Sequence, residues 1–140
     1  MASIFTRIVN GEIPAAKVYE DDQVLAFLDV SPAARGHTLV ICKQELPGLL
    51  DLPPELAAAV AVAAQRVARA VVAVVGAEGF NIVQNNGPAA GQTVPHYHVH
   101  IIPRWPGDGA LAHWRPGSAT PDELAATAAL VAAALGKEPR

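Results

Sequence analysis

The sequence predicts a single α+β domain over residues 1–140, a five-stranded antiparallel sheet with a long central helix and terminal helices. Three observations lead there. Five short runs are β-branched or alternate apolar with polar residues. One long Ala- and Val-rich segment separates the third run from the fourth. Helical segments do not follow each strand in turn, as the crossovers of a parallel sheet would require.

In chain order, "SIFTRIVNG" fits a short helix that ends near Asn10 and Gly11. "KVYED" and "VLAFLDV" read as two strands, with Asp21 and Asp22 making a hairpin between them. "GHTLVICK" supplies the third strand. From Glu55 to Gly76 the pattern is helical: Pro53 and Pro54 suit the first turn, Glu55 favours the positive end of the dipole, and Gly76 suits the C-terminal cap. Val60, Val67, Val71 and Val74 recur at helical spacing and are expected to face the sheet. "GFNIVQN" and "TVPHYHVHIIP" are the last two strands, joined by the Gly- and Pro-rich loop "NGPAAG". The closing helix, "PDELAATAALVAAALG", takes Thr120 as N-cap, with Glu123 completing a capping box.

The formal net charge of -3 provides no broad field for nucleic acid or an anionic membrane, so neither is expected as a partner. One cysteine, Cys42, excludes an internal disulfide and fits a reducing, cytoplasmic setting. "MASIFTRIVNGEIP" has neither a cationic lead nor a long apolar run, so no secretory signal is expected. The long helix is apolar enough to resemble a membrane span. Gln65, Arg66 and Arg69 at its centre are costly in hydrocarbon, and alanine adds little hydrophobic drive, so it is read as a core helix.

Three of the five histidines, His96, His98 and His100, fall at every second position of "HYHVH". On an extended strand these rings share one side, and Tyr97, Val99 and Ile101 take the other. Such a row can hold a metal, stand as a set of satisfied structural rings, or attack an electrophile. A zinc site needs third and fourth ligands; His37, His113 and carboxylates are available, but no acid lies near the row in sequence. Three buried structural rings would each need a partner. The neighbouring "QNNGPAAGQT" favours attack on phosphorus, because Asn85, Asn86, Gln92 and Thr93 offer amide and hydroxyl donors while Gly87 and Gly91 let backbone N–H groups approach a ligand. This loop is not a P-loop: its glycines are too close together, and Gln92 stands where the lysine would be. A neutral imidazole is a competent nucleophile near neutral pH.

"HYHVHII" resembles the His-x-His-x-His-x-x signature of the histidine triad (HIT) family of nucleotide hydrolases and transferases. "IFTRIVNGEIPAAKVYEDDQVLAFLDVSPAARGHTLVICK" and "NNGPAAGQTVPHYHVHIIPR" are similar to the two halves of that family's domain, so the resemblance runs through almost the whole chain to about Arg104. It implies a HIT-like fold, a homodimer, and catalytic roles for four histidines. His98 would be the nucleophile, His100 would donate to a phosphate oxygen, His96 would help orient His98, and His37 would stand beside them. It further implies phosphate and leaving-group contacts at Asn85, Gly91, Gln92 and Thr93, and ribose binding by Asp29. Apolar walls around the base would come from Phe5, Ile8, Phe27, Val30 and Leu39. Core packing is an equal reading for each apolar residue, and Asp29 ahead of Ser31 and Pro32 is also a plausible turn former. Trp114 would reach toward a partner subunit's site.

Many bacterial relatives carry Cys-x-x-Cys and a further histidine that together hold a structural zinc. Here Ser3, Thr6 and Glu45 stand in those places, so no metal and no other cofactor is expected. The implied reaction is cleavage at the α-phosphate of a purine ribonucleotide resembling adenosine 5′-phosphoramidate. It passes through a nucleotidyl-phosphohistidine and releases the monophosphate. Two alternatives stay open: a dinucleoside polyphosphate hydrolase, toward which "GPAAGQTV" and "HWR" point, and a nucleotide-binding signalling module with incidental catalysis.

Overall fold

The computed structural model describes residues 1–137; the last three positions of the expected 1–140 domain lie outside the described residues. Five strands, β1 (Lys17–Glu20), β2 (Val24–Leu28), β3 (Thr38–Cys42), β4 (Gly79–Val83) and β5 (His98–Arg104), pair antiparallel in the order β1-β2-β3-β5-β4. Among the described residues three α-helices accompany them, α1 (Ile4–Val9), α2 (Pro54–Val75) and α3 (Pro121–Leu135). This is the α+β architecture that the sequence predicts.

Strand alternation sorts the central residues onto two faces. Val24, Ala26, Val40, Cys42, Tyr97, Val99 and Ile101 pack with Leu56, Val60, Ala63, Ala64, Val67 and Ala68 of α2. Each fully buried Val or Leu in this layer contributes about 1.5–3 kcal/mol. Leu25, Phe27, Leu39 and Ile41 point the other way and are covered by Phe5 and Ile8 of α1. The short α1 persists because its apolar face is buried and Ser3 caps it, its hydroxyl accepting from Thr6 N–H. Gly76 closes α2 in the left-handed conformation at φ 65°, as its place after the last apolar turn predicts.

Two expectations need correction. Strand β5 starts at His98 rather than Thr93, because Pro95 has no N–H for a ladder. Instead His96 N–H closes a tight turn on the Val94 carbonyl at 2.8 Å, and Tyr97 N–H reaches the Leu46 carbonyl at 2.7 Å. Val74 does not face the sheet: it is 74 % exposed. It lines an apolar groove of about 520 Å³ with Val71 of α2, Val18 of β1 and Leu28 of β2. Helical spacing assigns a face without saying how far the sheet extends beneath it.

Candidate active site

The β3–β5 pairing sets the site. His98 lies opposite Ile41 and His100 opposite Leu39, so both rings share the face covered by α1. Phe5 of α1 meets His98 edge to face, with ring centroids 4.9 Å apart, and His96 at 5.7 Å. His98 and His100 are 5.0 Å apart. His37, immediately before β3, brings its ring within 5.2 Å of His100. All four histidines singled out in the sequence therefore lie in one cluster, while His113 is exposed in the segment beyond β5.

Hydrogen bonds assign a proton to one nitrogen of each ring. Ala33 N–H donates to His37 Nδ1 at 2.9 Å, so His37 carries its proton on Nε2 and donates it to His100 Nδ1, also at 2.9 Å. His100 consequently keeps an N–H on Nε2. His98 donates from Nδ1 to the His96 carbonyl at 2.7 Å, which leaves the Nε2 lone pair free. His96 donates from Nε2 to the Cys42 carbonyl at 2.6 Å and accepts at Nδ1 from Ser3 Oγ at 2.7 Å. The cluster thus presents one nucleophilic lone pair, on His98, beside one neutral N–H donor, on His100.

Burial favours the neutral form of His37, His96 and His100. It pushes the His100 pKa down to about 4, reinforced by His98 and His37 and opposed by Asp29. Burial likewise lowers His37 against the pull of Asp29, and lowers His96 despite the Cys42 carbonyl and Glu45. The 3.5 Å approach of Asp29 to His37 is thus a carboxylate beside a neutral ring rather than an ion pair near pH 7.

These depressed values have a sign for stability. Between about pH 4 and 6.5 the unfolded chain binds more protons than the folded one, so stability is complete above pH 6.5 and falls as the pH drops through that window. After discounting for partial exposure, His100 alone accounts for roughly 1–2 kcal/mol. Chemical denaturation between pH 7.5 and 4 is expected to show this decline; a flat profile would contradict buried neutral rings.

Asp29, His37 and His100 place ligand atoms within 4.8 Å of one another, a spacing open to a metal ion. The tautomers oppose that use. With Ala33 N–H on Nδ1, His37 has a proton rather than a lone pair on the nitrogen facing His100.

The remaining expected site residues divide. Gly91, at φ 90°, adopts a left-handed conformation that suits glycine, and a Cβ there would stand 3.8 Å from Asn85 Nδ2. Asn85 is half-buried and Thr93 exposed beside the row. Gln92 serves the loop itself: Oε1 accepts from Gly87 N–H at 2.7 Å, and Nε2 donates to the Pro47 and Val94 carbonyls. Its amide protons are therefore committed within the protein, which departs from the expected phosphate contact. Asp29 is the turn former that its position allows, with Oδ1 accepting from Ser31 N–H at 2.8 Å, while Oδ2 faces His37. Phe5 and Ile8 of α1 are buried with Phe27 and Leu39 in the core layer between α1 and the sheet. Val30, 93 % exposed, packs on nothing in that layer, and Trp114 is 84 % exposed.

Three contributions escaped the sequence reading. Ala33 acts through its backbone, so no side-chain signal exists. Asn86 takes Leu49 N–H on Oδ1 and exchanges hydrogen bonds with Gln84, bracing the donor loop instead of facing a ligand. Ser3, Thr6 and Glu45, noted only as absent zinc ligands, are bonded to one another and to His96.

The HIT domain model matches residues 10–107. An adenylylsulfatase of Arabidopsis thaliana is 44 % identical over 101 residues, covering 72 % of this chain and 51 % of that protein. An adenosine 5′-monophosphoramidase of Schizosaccharomyces pombe is 38 % identical over 128 residues, covering 90 % of this chain and 92 % of its own. The crystal structure of a HIT family member from Bacillus subtilis matches with a TM-score of 0.91 at 38 % identity, covering 100 % of this chain and 99 % of that one.

Proposed function

This chain belongs to the HIT family, and from that premise we propose that it hydrolyses purine ribonucleotides at the α-phosphorus, with adenosine 5′-phosphoramidate as the model substrate. The observation that carries the reading is the pairing of a free His98 Nε2 lone pair with the His100 Nε2–H. His98 attacks phosphorus, forming a P–N bond as the bond to the leaving group breaks and the leaving amine takes up a proton from solvent. Water then attacks the nucleotidyl-phosphohistidine and releases a proton to solvent; the P–N bond breaks, its electron pair returns to Nε2, and the monophosphate leaves. His100 donates to the oxygen on which charge gathers. Asp29 retains acceptor capacity for ribose hydroxyls on Oδ2, and Phe5 and Phe27, buried in the apolar layer beside the histidines, would back the wall toward the base.

The test is monophosphate release from a panel of adenosine and guanosine phosphoramidates, adenylyl sulfate, diadenosine polyphosphate and 2′-deoxy analogues. The ribonucleoside phosphoramidates are expected to turn over fastest, with adenine and guanine differing modestly. Deoxy analogues should lose roughly 10- to 100-fold in kcat/KM, the equivalent of one charge-assisted hydrogen bond of about 1.5–3 kcal/mol. Faster cleavage of diadenosine polyphosphate would establish the polyphosphate hydrolase instead, and retained ligand without monophosphate would establish a binding module. The proposed chemistry needs no metal, so turnover should persist in chelator.

A homodimer, located in the cytoplasm, completes the proposal. No residue of α3 is buried, and Leu124, Leu130, Val131 and Leu135 all lie exposed on it. Edge strand β4 leaves Phe80 and Ile82 about half exposed. These surfaces suit a second copy, whose site Trp114 would approach. Light scattering at micromolar concentration is expected to give twice the chain mass; a monomer would end this part of the proposal.

A further inference from the structure

We propose that Ser3, Thr6 and Glu45 form a hydrogen-bonded clasp that positions the nucleophile His98 by holding His96 between α1 and the end of β3. Glu45 Oε1 accepts from Ser3 N–H at 2.6 Å and from Thr6 Oγ1 at 2.6 Å. The Thr6 proton is thereby engaged, and Ser3 Oγ, itself accepting from Thr6 N–H, directs its own proton to His96 Nδ1 at 2.7 Å. On the far side of the ring, Nε2–H meets the carbonyl of Cys42, the last residue of β3. His96 is completely buried and tied at both nitrogens. Its carbonyl is the acceptor that keeps the His98 proton on Nδ1. The same clasp seats α1, whose Phe5 touches both rings. Ser3 and Thr6 precede the span matched by the family model, residues 10–107.

The clasp stands at the positions to which the family resemblance assigns the zinc ligands of bacterial relatives, and its chemistry does not fit that metal. Two neutral hydroxyls replace soft thiolates, Glu45 Oε1 already accepts two protons, and the His96 Nδ1 lone pair is occupied by Ser3. Hydrogen bonds here hold α1 against the loop after β3. Glu45 stays ionised well below neutral pH, its pKa lowered to about 2 by the Thr6 hydroxyl first and the Ser3 N–H second.

The inference rests on His98 being the nucleophile, so its test has one readout in turnover and one independent of it. Ser3→Ala and Glu45→Ala are compared with Ser3→Thr, which keeps the hydroxyl, and Glu45→Gln, which keeps an acceptor. With adenosine phosphoramidate, the two alanine variants are expected to lose roughly tenfold in kcat with little change in KM, and the two conservative variants to recover most of it. Imidazole ¹⁵N spectra of the full chain are expected to show one tautomer at His96 and His98 in the wild type and a mixture in Ser3→Ala. Unchanged tautomers in Ser3→Ala, or losses in kcat equal in the alanine and conservative variants, would overturn the clasp. A wild type without turnover would defeat the functional reading alone, because the spectra still decide whether Ser3 orders the two rings.

Discussion

Replacing His98 with Ala is expected to lower turnover by roughly 10³-fold or more, because the attacking lone pair is removed and no neighbouring ring can replace it. His96 has its Nδ1 occupied by Ser3, and His100 its Nδ1 occupied by His37. His98 is only 6 % exposed and packs against Phe5, so the Ala variant also loses buried contacts and should melt somewhat lower. His98→Asn controls for this: it keeps an N–H near the His96 carbonyl but has no nucleophilic nitrogen, and should be equally inactive at nearly wild-type stability. Rapid quench with labelled substrate should trap nucleotide on the wild type and on neither variant. Turnover within tenfold of wild type in His98→Asn would refute the covalent route.

The fold was legible because its signals were local and mutually consistent. Val24, Ala26, Val40 and Cys42 face one way and Leu25, Phe27, Leu39 and Ile41 the other, so both faces of the central strands are apolar and each demands a cover. One cover, α2, announced itself through length, proline at its start and Gly76 at its end. The end of β5 nearest the loop was less legible, since Pro95 sits inside an otherwise alternating run and the turn it imposes depends on Leu46, distant in sequence. Val74 shows the same limit: periodicity identifies a helix face, whereas burial depends on which strand lies opposite.

At the site, side-chain identity was more legible than function. The alternating rings predict a shared face, whereas His37 is marked by its resemblance to a family motif rather than by any spacing. Gln92 shows what identity leaves open. An amide beside a histidine row reads as a ligand donor, but its hydrogen bonds go to Gly87, Pro47 and Val94 because the loop's own backbone groups need partners. Ser3, Thr6 and Glu45 were visible only as ligands missing from a metal site. Their hydrogen bonds to one another and to His96 join residues 42 positions apart and 93 positions apart, which no local pattern reports.

His100→Ala is expected to lower kcat by roughly 10²- to 10³-fold with a small change in KM, the effect of removing one preorganised donor from a developing negative charge. The tautomer argument makes this specific. His37 Nε2–H saturates His100 Nδ1, so the only proton His100 can offer a substrate is on Nε2. With its pKa held down to about 4, His100 offers that proton as a neutral imidazole throughout the physiological range. Its contribution should therefore be constant from about pH 6 to 9, and the Ala variant should lie below the wild-type pH profile without a moved limb. His100→Gln, which can place an amide N–H near the position of Nε2, should recover part of the loss. If His100 acted instead as an imidazolium, the wild-type advantage would grow steadily as the pH fell and vanish toward pH 8; a ratio of wild type to Ala that follows that course would overturn the assignment of His100 as a neutral donor.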